Sequence, residues 1–302
     1  NQVVKTDIKK KYKITYYKSL DELYKSKTKI HLAFICTPSV YHVNEAISLI
    51  KKNINVFIEK PLGSSFKNIS KLTKLIKSKK NLKHMMGYQL KFNPIILKLK
   101  KILDKKTIGK IWHINIHHGE NINDFHPYES YKHSYAARKD LGGGVILCQI
   151  HEIDYLLFLF EKHKVKIINS YSKKLTDLYI NVEDTFVSSL QISRGKKKTL
   201  CNIHLNFYER PKKRTIEILG ERGKILCNLN TGEIFIFKNK KVKKIQFKFD
   251  RNEIFKKQIK YFLEAIKKNK KIDKRYDVLN GIKSLSLALN LKKNKWVNSK
   301  KN

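Results

Sequence analysis

Apolar residues in the first third of the chain fall into short unbroken runs separated by stretches of helical spacing. Ile30-His31-Leu32-Ala33-Phe34-Ile35-Cys36 reads as a strand buried on both faces. Thr37 is a good N-cap and Pro38 suits a first helical position, whose N–H lacks an intrahelical partner anyway. Val40, Val43, Ala46, Ile47 and Ile50 follow at helical spacing, so one face packs on a sheet. Asn53-Ile54-Asn55 turns into a second apolar run, Val56-Phe57-Ile58, which ends on Glu59-Lys60-Pro61. A helix capped by Ser64 or Ser65, with Ile69, Leu72, Leu75 and Ile76 on one face, leads to a strand around His84 to Tyr88. The alternation predicts a parallel sheet with helices on its faces. In such sheets ligands sit beyond the carboxyl ends of the strands, which directs Lys60 into a crevice.

From Lys110 onward the pattern changes to alternating strands: Ile111 to His118, Val165 to Ser172, Asp184 to Ile192, Thr199 to Phe207, Thr215 to Leu219, Lys224 to Asn228, Glu233 to Phe237 and Lys244 to Phe249. Gly220-Glu221-Arg222-Gly223 reads as a hairpin connection. Helices near Asn252 to Lys268 and Tyr276 to Leu291 close the chain. Ahead of most strands, Leu141 to Phe160 reads as a buried core helix. The expected fold is α/β followed by α+β, with residues 1–90 as a first domain and 91–302 as a second. The second carries a large, mainly antiparallel open sheet whose free face suits a homo-oligomer. The last helix is expected to pack back on the first domain.

Composition modifies this picture in two respects. A net charge of +41 on 302 residues would, taken alone, suggest a polyanionic partner. Yet lysine far outnumbers arginine and is spread along the whole length, whereas bidentate phosphate and base contacts favour arginine. A solvated lysine surface is the preferred reading, and nucleic-acid binding the minority one. Four scattered cysteines, Cys36, Cys148, Cys201 and Cys227, have no metal-type spacing and point to reduced thiols in a cytoplasm. No metal, membrane span or signal peptide is expected.

The chain opens on Asn1, and no G-x-G-x-x-G turn precedes Ile30. Since a dinucleotide-binding domain normally begins with such a turn, the expectation is a fragment lacking its first βαβ part. Residues 1 to 24 read as a charged segment, with Ser19-Leu20-Asp21-Glu22-Leu23 starting a short helix.

Two clusters carry candidate chemistry. Lys60 ends a strand, where packing gives little reason for a lysine. On the buried helix, Cys148, His151, Glu152 and Tyr155 fall at i, i+3, i+4 and i+7, with Asp154 close to His151 around the cylinder. A histidine can relay a proton near neutral pH. A polar, aromatic loop from Gly119 to Lys139, with Asp124, His126, Tyr128, Tyr131, Tyr135 and Arg138, is a candidate for substrate contacts, with a cation for an acidic group.

The succession Thr37-Pro38-Ser39-Val40-Tyr41-His42, Glu59-Lys60-Pro61, Gly87-Tyr88, Phe92-Asn93-Pro94, Ile108-Gly109-Lys110, Leu141-Gly142-Gly143-Gly144 and His151-Glu152-Ile153-Asp154-Tyr155 resembles the Gfo/Idh/MocA family. The resemblance runs from about residue 10 to the C-terminus. It implies a Rossmann-like first domain, NAD or NADP as cofactor, and hydride transfer at a hydroxyl-bearing carbon of a sugar, cyclitol or sugar derivative. It implies catalytic roles for Lys60 and His151, and cofactor contacts from Thr37, Pro38, His42, Glu59 and Lys60. Substrate contacts are expected from Tyr88, Asn93, Tyr135, Arg138, His151 and Asp154. One departure stands out: members usually place an aspartate one turn before the histidine, and this chain has Cys148 there. Either Glu152 or Asp154 substitutes, or Lys60 and His151 act without it, or the chemistry is altered. A fold that binds or regulates without catalysis is the alternative reading.

Overall fold

The computed structural model describes residues 11–125, 129–248 and 250–293, so His126, Tyr128 and Phe249 lie outside the described residues. The chain divides into two compact units, residues 1–32 and 33–302. In the first, helix α1 (Leu20–Lys25) starts where expected: Ser19 Oγ accepts from Glu22 N at 3.1 Å, and Glu22 accepts from Lys18 N at 2.6 Å. This reciprocal capping satisfies backbone donors that a short helix would otherwise leave open.

The second unit is built on two sheets. The smaller has the order β1-β2-β3, from β1 (Leu32–Ile35), β2 (Asn55–Glu59) and β3 (His84–Gly87), with β2 and β3 parallel. Val56, Phe57 and Ile58 are all buried, as a strand covered on both faces requires. Helix α2 (Ser39–Lys51) buries Val43, Ala46, Ile47 and Ile50, and α3 (Ile69–Ser78) buries Ile69, Leu72 and Ile76.

Both helices start later than their sequence signals suggest. Pro38 is the N-cap of α2, and the Thr37 hydroxyl donates instead to Glu45 Oε2 at 2.6 Å, so no side chain caps this helix. Asn68, at φ 61°, precedes α3, while Ser65 is used up accepting from Lys67 N.

After helix α4 (Pro94–Asp104), the larger sheet has eight strands in the order β11-β10-β9-β8-β4-β7-β6-β5. Its central strand β4 (Ile111–Gly119) runs parallel to β7 (Lys197–Asn206) and antiparallel to β8 (Lys213–Gly220). The other strands are β5 (Lys164–Lys173), β6 (Thr185–Arg194), β9 (Gly223–Asn228), β10 (Glu233–Lys238) and β11 (Lys241–Gln246), all in antiparallel pairs. The last strand begins three residues before the expected Lys244, because Lys238↔Lys241 closes the β10–β11 hairpin. Gly220 pairs with Gly223 as the hairpin signal requires.

Strand alternation separates the two faces of this sheet. Ile114, Ile116, Cys201, Ile203, Ile216 and Ile218 are buried on one, while His113, Asn115, His117, Asn202 and His204 occupy the other at intermediate exposure. The last helices are α7 (Arg251–Lys267) and α8 (Val278–Lys293). Helix α8 contacts both β5 and β3, and Gly281 in it is required because a Cβ there would collide with the Met86 side chain.

Leu141 to Phe160 departs from the expected single helix. It contains α5 (Val145–Cys148) and α6 (His151–Leu159), bent by 46° at Gln149 and Ile150. Glu152 N turns back to Gln149 O, which frees the Cys148 carbonyl, and Lys60 Nζ donates to that oxygen at 2.9 Å. A side chain inserted into the i→i−4 ladder is a recognised cause of a kink. These segments are buried, and no single described helix is long and apolar enough to cross a membrane.

Candidate active site

A cavity of about 1070 Å³ opens at the carboxyl ends of β1 and β2 and runs to the edge of the larger sheet. Cys36 to Ser39, His42, Glu59 and Lys60 line one end, while Tyr135, Cys148, Gln149 and His151 line its middle. His118, Glu120, Lys212 and Arg214 form part of the far wall. The smaller sheet places Lys60 as its topology predicts, and the broken α5–α6 segment brings His151 to the same space.

Lys60 is held as an ammonium. Burial pulls it toward the neutral form, but Tyr135, Cys148 and Glu59 beside it outweigh that and raise it above its ordinary value. One of its donors is committed to the Cys148 carbonyl at 2.9 Å, and the Tyr135 hydroxyl stands close by. Glu59 accepts from the Lys60 N–H at 3.1 Å, and burial raises its carboxyl. A Cβ on Gly87 would stand 2.9 Å from the Glu59 carboxyl carbon, so glycine gives that carboxylate its room.

His151 has the opposite setting. It is 5% exposed, and neither ring nitrogen has a hydrogen-bond partner among the described residues. Burial, then the charges of Lys60 and Arg214, hold it well below its ordinary value despite the opposing pull of Glu152, so the imidazole is neutral. The Tyr88 ring stands edge-on to it at 5.8 Å.

The structure distributes the other expected site residues unevenly. Thr37, Pro38, Asn93 and Tyr135 line the cavity. The Asn93 side chain also caps α4, accepting from Ile95 N at 2.8 Å. His42 lines it too, but its ring nitrogens stand 2.8 Å from Pro61 O and 2.6 Å from Thr37 O, so it braces two loops against each other.

Asp154 does not reach the cavity: Lys91 lies 2.9 Å away and Ser284 donates to it at 2.7 Å, all buried. Both residues lie on α6, and Asp154 is held on its own side of that helix by Lys91 and Ser284. Arg138 is drawn instead into an exposed pair with Asp140. Of the two carboxylates considered as substitutes for the missing aspartate, neither is free. Glu152 accepts from Arg214 Nε at 2.7 Å and lies 3.1 Å from His118 Nδ1, which hold it far below the carboxylate range against the upward push of burial.

At the position of the aspartate stands Cys148, whose thiol burial pushes up to about 11, with Tyr135 beside it. So high a thiol is a poor nucleophile. The glycine run is explained by close packing: a Cβ on Gly142, at φ 84°, would collide with Ser39 Oγ, and one on Gly144, at φ 106°, with the Glu183 carboxylate. Gln149 and Arg214 had no distinguishing pattern in the sequence, since only the fold brings them to the cavity.

A nicotinamide dinucleotide fits the first end of the cavity. The N-terminus of α2 lacks a side-chain cap and lines the crevice with Thr37 and Pro38, which suits a phosphate. Among the described residues, no group of His, Cys, Asp and Glu side chains is arranged to hold a metal.

The model described as the oxidoreductase family with an NAD-binding Rossmann fold matches residues 2–88, and that of the GFO/IDH/MocA C-terminal domain matches residues 96–226. Oxidoreductase P35 of Formosa agariphila is 26% identical over 215 residues, which are 70% of this chain and 63% of that protein. The chain therefore matches less than two thirds of that relative's length. Among solved structures, myo-inositol 2-dehydrogenase from Lactobacillus plantarum has a TM-score of 0.74 at 20% identity, covering 92% of this chain and 81% of its own. An inositol dehydrogenase homolog from Azotobacter vinelandii complexed with NAD+ has a TM-score of 0.79 at 11% identity, covering 93% and 82%. At such identities these structures are similar in fold. With both domain models matched in order over most of its length, the chain belongs to the Gfo/Idh/MocA family.

Proposed function

We propose that the protein is an NAD(P)-dependent oxidoreductase acting at a hydroxyl-bearing carbon of a sugar, cyclitol or sugar derivative. The observation that carries this reading is the pairing, in one cavity, of a charged Lys60 with a neutral, unpartnered His151. Lys60 keeps uncommitted donors for the reacting oxygen and stabilises negative charge on it. The neutral imidazole of His151 takes the hydroxyl proton, and in the reverse direction returns it. The bound nicotinamide supplies the hydride acceptor. Tyr135 and the Cys148 carbonyl hold the ammonium in place, a role that needs no carboxylate at position 148.

Thr37, Pro38 and the uncapped start of α2 hold the dinucleotide, with Glu59 and His42 shaping the crevice behind them. The free face of the larger sheet, with Val187 and Leu200 about two-fifths exposed, serves as the homo-oligomer surface. Four free thiols suit a reducing compartment such as the cytoplasm.

Absorbance at 340 nm with NAD+ or NADP+ and a panel of cyclitols and hexoses tests the activity. Lys60→Met is expected to cut turnover about 10²–10⁴-fold while cofactor affinity changes little. Undiminished turnover in that variant would remove the assignment. Cofactor binding without turnover of any compound would favour a binding protein of the same fold.

A further inference from the structure

The amino end of the smaller sheet, opposite the cavity, carries a charge pattern that neither the fold nor the proposed catalysis uses. Three segments meet there: residues 51–53 ahead of β2, residues 77–83 ahead of β3, and residues 264–271 at the end of α7. Lys79 Nζ donates to Asn53 Oδ1 at 2.8 Å and ties the first two together. Lys83 Nζ donates to Asn269 Oδ1 at 2.9 Å and ties in the third. Asn53 and Asn269 sit at φ 60° and 47°, in tight turns that asparagine tolerates. Two lysines thus serve as ties between loops, and the tied loops display the others.

These segments hold ten lysines and one carboxylate, Glu264, whereas the whole chain has 66 lysines and arginines to 25 acidic side chains. Lysine spread evenly by composition would bring its average share of acids, and here they are depleted. Glu264 is itself taken by Lys268, 3.7 Å away and one helical turn on. Lys77, Lys80, Lys270 and Lys271 are exposed, and their ammonium groups have no partner among the described residues. Strand β2, about 16 Å long, separates this face from Lys60, so a ligand here leaves the cavity open.

Ammonium groups displayed on three separate loops match an anion with many charges along its length better than a single small one. A nucleic-acid duplex supplies such a row of phosphates. No large hydrophobic side chain is exposed in these segments, so nothing there enters a lipid interface or stacks on the bases of a single strand. Lysine contacts phosphate as a flexible point charge and lacks the planar fork that reads a guanine edge. We propose that this lysine face docks the phosphate backbone of double-stranded nucleic acid without regard to sequence. The proposal does not rest on the oxidoreductase reading, because none of these residues lines the cavity.

The test is fluorescence anisotropy of two labelled DNA duplexes of unrelated sequence, each about 20 base pairs, titrated with the full chain over a range of salt. Equal affinity for both, falling steeply with salt, is expected. Combining Lys77→Gln, Lys80→Gln, Lys270→Gln and Lys271→Gln is expected to weaken binding about tenfold or more. The slope of log affinity against log salt should drop by about 4. Arginine at the same four positions should keep parental binding, which separates lost charge from a disturbed fold. A control that combines Lys196→Gln, Lys198→Gln, Lys241→Gln and Lys243→Gln removes equal charge from exposed positions on the larger sheet, and should bind within about twofold of the parent because distant charges are screened. An equal loss in the control would assign the binding to net charge and overturn the proposal. So would the absence of duplex binding near physiological salt, or tighter binding to phosphatidylserine vesicles than to the duplex.

Discussion

Two lysines, the buried Lys91 and the half-buried Lys60, show how similar ingredients serve opposite ends. Lys91 pairs with Asp154, and its Nζ also donates to Arg275 O at 2.8 Å and to Asn280 Oδ1 at 2.7 Å, while Ser284 donates to the carboxylate. Every donor there is used, and the cluster binds the short 3₁₀ turn Gln89–Phe92, α6 and α8 together without touching the cavity. Lys60 keeps a donor in reserve, beside a histidine with no partner and a glutamine with an open carbonyl. Only about one aromatic ring separates the two sites: Lys91 Nζ lies 5.3 Å from the Tyr88 ring centroid, and Tyr88 stands edge-on to His151. Saturated buried polar groups signify structure, and unsaturated ones in a cavity signify a ligand.

Substitution on either side of Tyr88 should break this contrast if it is mistaken. His151→Asn is expected to lower turnover about 10²–10⁴-fold, with a melting temperature close to that of the parent, because the ring makes no hydrogen bond to lose. Asp154→Ala should do the reverse. It strands Lys91 as an uncompensated buried charge and is expected to cost about 3–5 kcal/mol in chemical denaturation. A variant that unfolds no more readily would show that the pair is not structural.

Acid provides a graded version of the same comparison. Burial and then the Lys83 charge hold His84 at about 4, and His151 is likewise depressed. Below the unfolded value of about 6.5 the unfolded chain takes up protons that the folded one refuses. Stability is therefore complete above that pH and declines toward pH 4, by about 3 kcal/mol from His84. Denaturation midpoints measured from pH 7 to 4 should fall monotonically, and a flat profile would contradict the assignment of neutral buried rings. The smallest effect is expected at Arg138. Its exposed partner Asp140 lies outside the cavity, so Arg138→Ala should leave turnover and melting temperature at parental values.

Much of this was legible in the chain because it depends on local pattern. A run such as Val56-Phe57-Ile58 is a buried strand wherever it occurs, and the charge that ends it must face a crevice in a parallel sheet. The strands from Ile111 to Phe237 follow from period-two alternation, and the Gly220–Gly223 hairpin from its turn residues. Helix starts were less legible, since Thr37 and Ser65 had competing partners within reach. Within Leu141 to Phe160 the triple glycine marks the late start at Val145, but no residue type at Gln149 or Ile150 marks the second break. Only the fold shows Lys60, 88 positions earlier, donating to the Cys148 carbonyl that the break leaves open.

The sequence by itself determined the order of the elements, the two kinds of sheet, and the presence of a strand-end lysine and a buried histidine. Local propensity and burial periodicity are properties of a few neighbouring residues, so a linear reading reaches them. Tertiary structure alone decided which polar groups would be saturated. It gave Asp154 to Lys91 and Glu152 to Arg214, set Tyr135 between Lys60 and Cys148, and left the Gln149 carbonyl and the His151 ring open. Hydrogen-bond satisfaction depends on partners that approach from distant segments, and no spacing along one segment encodes it.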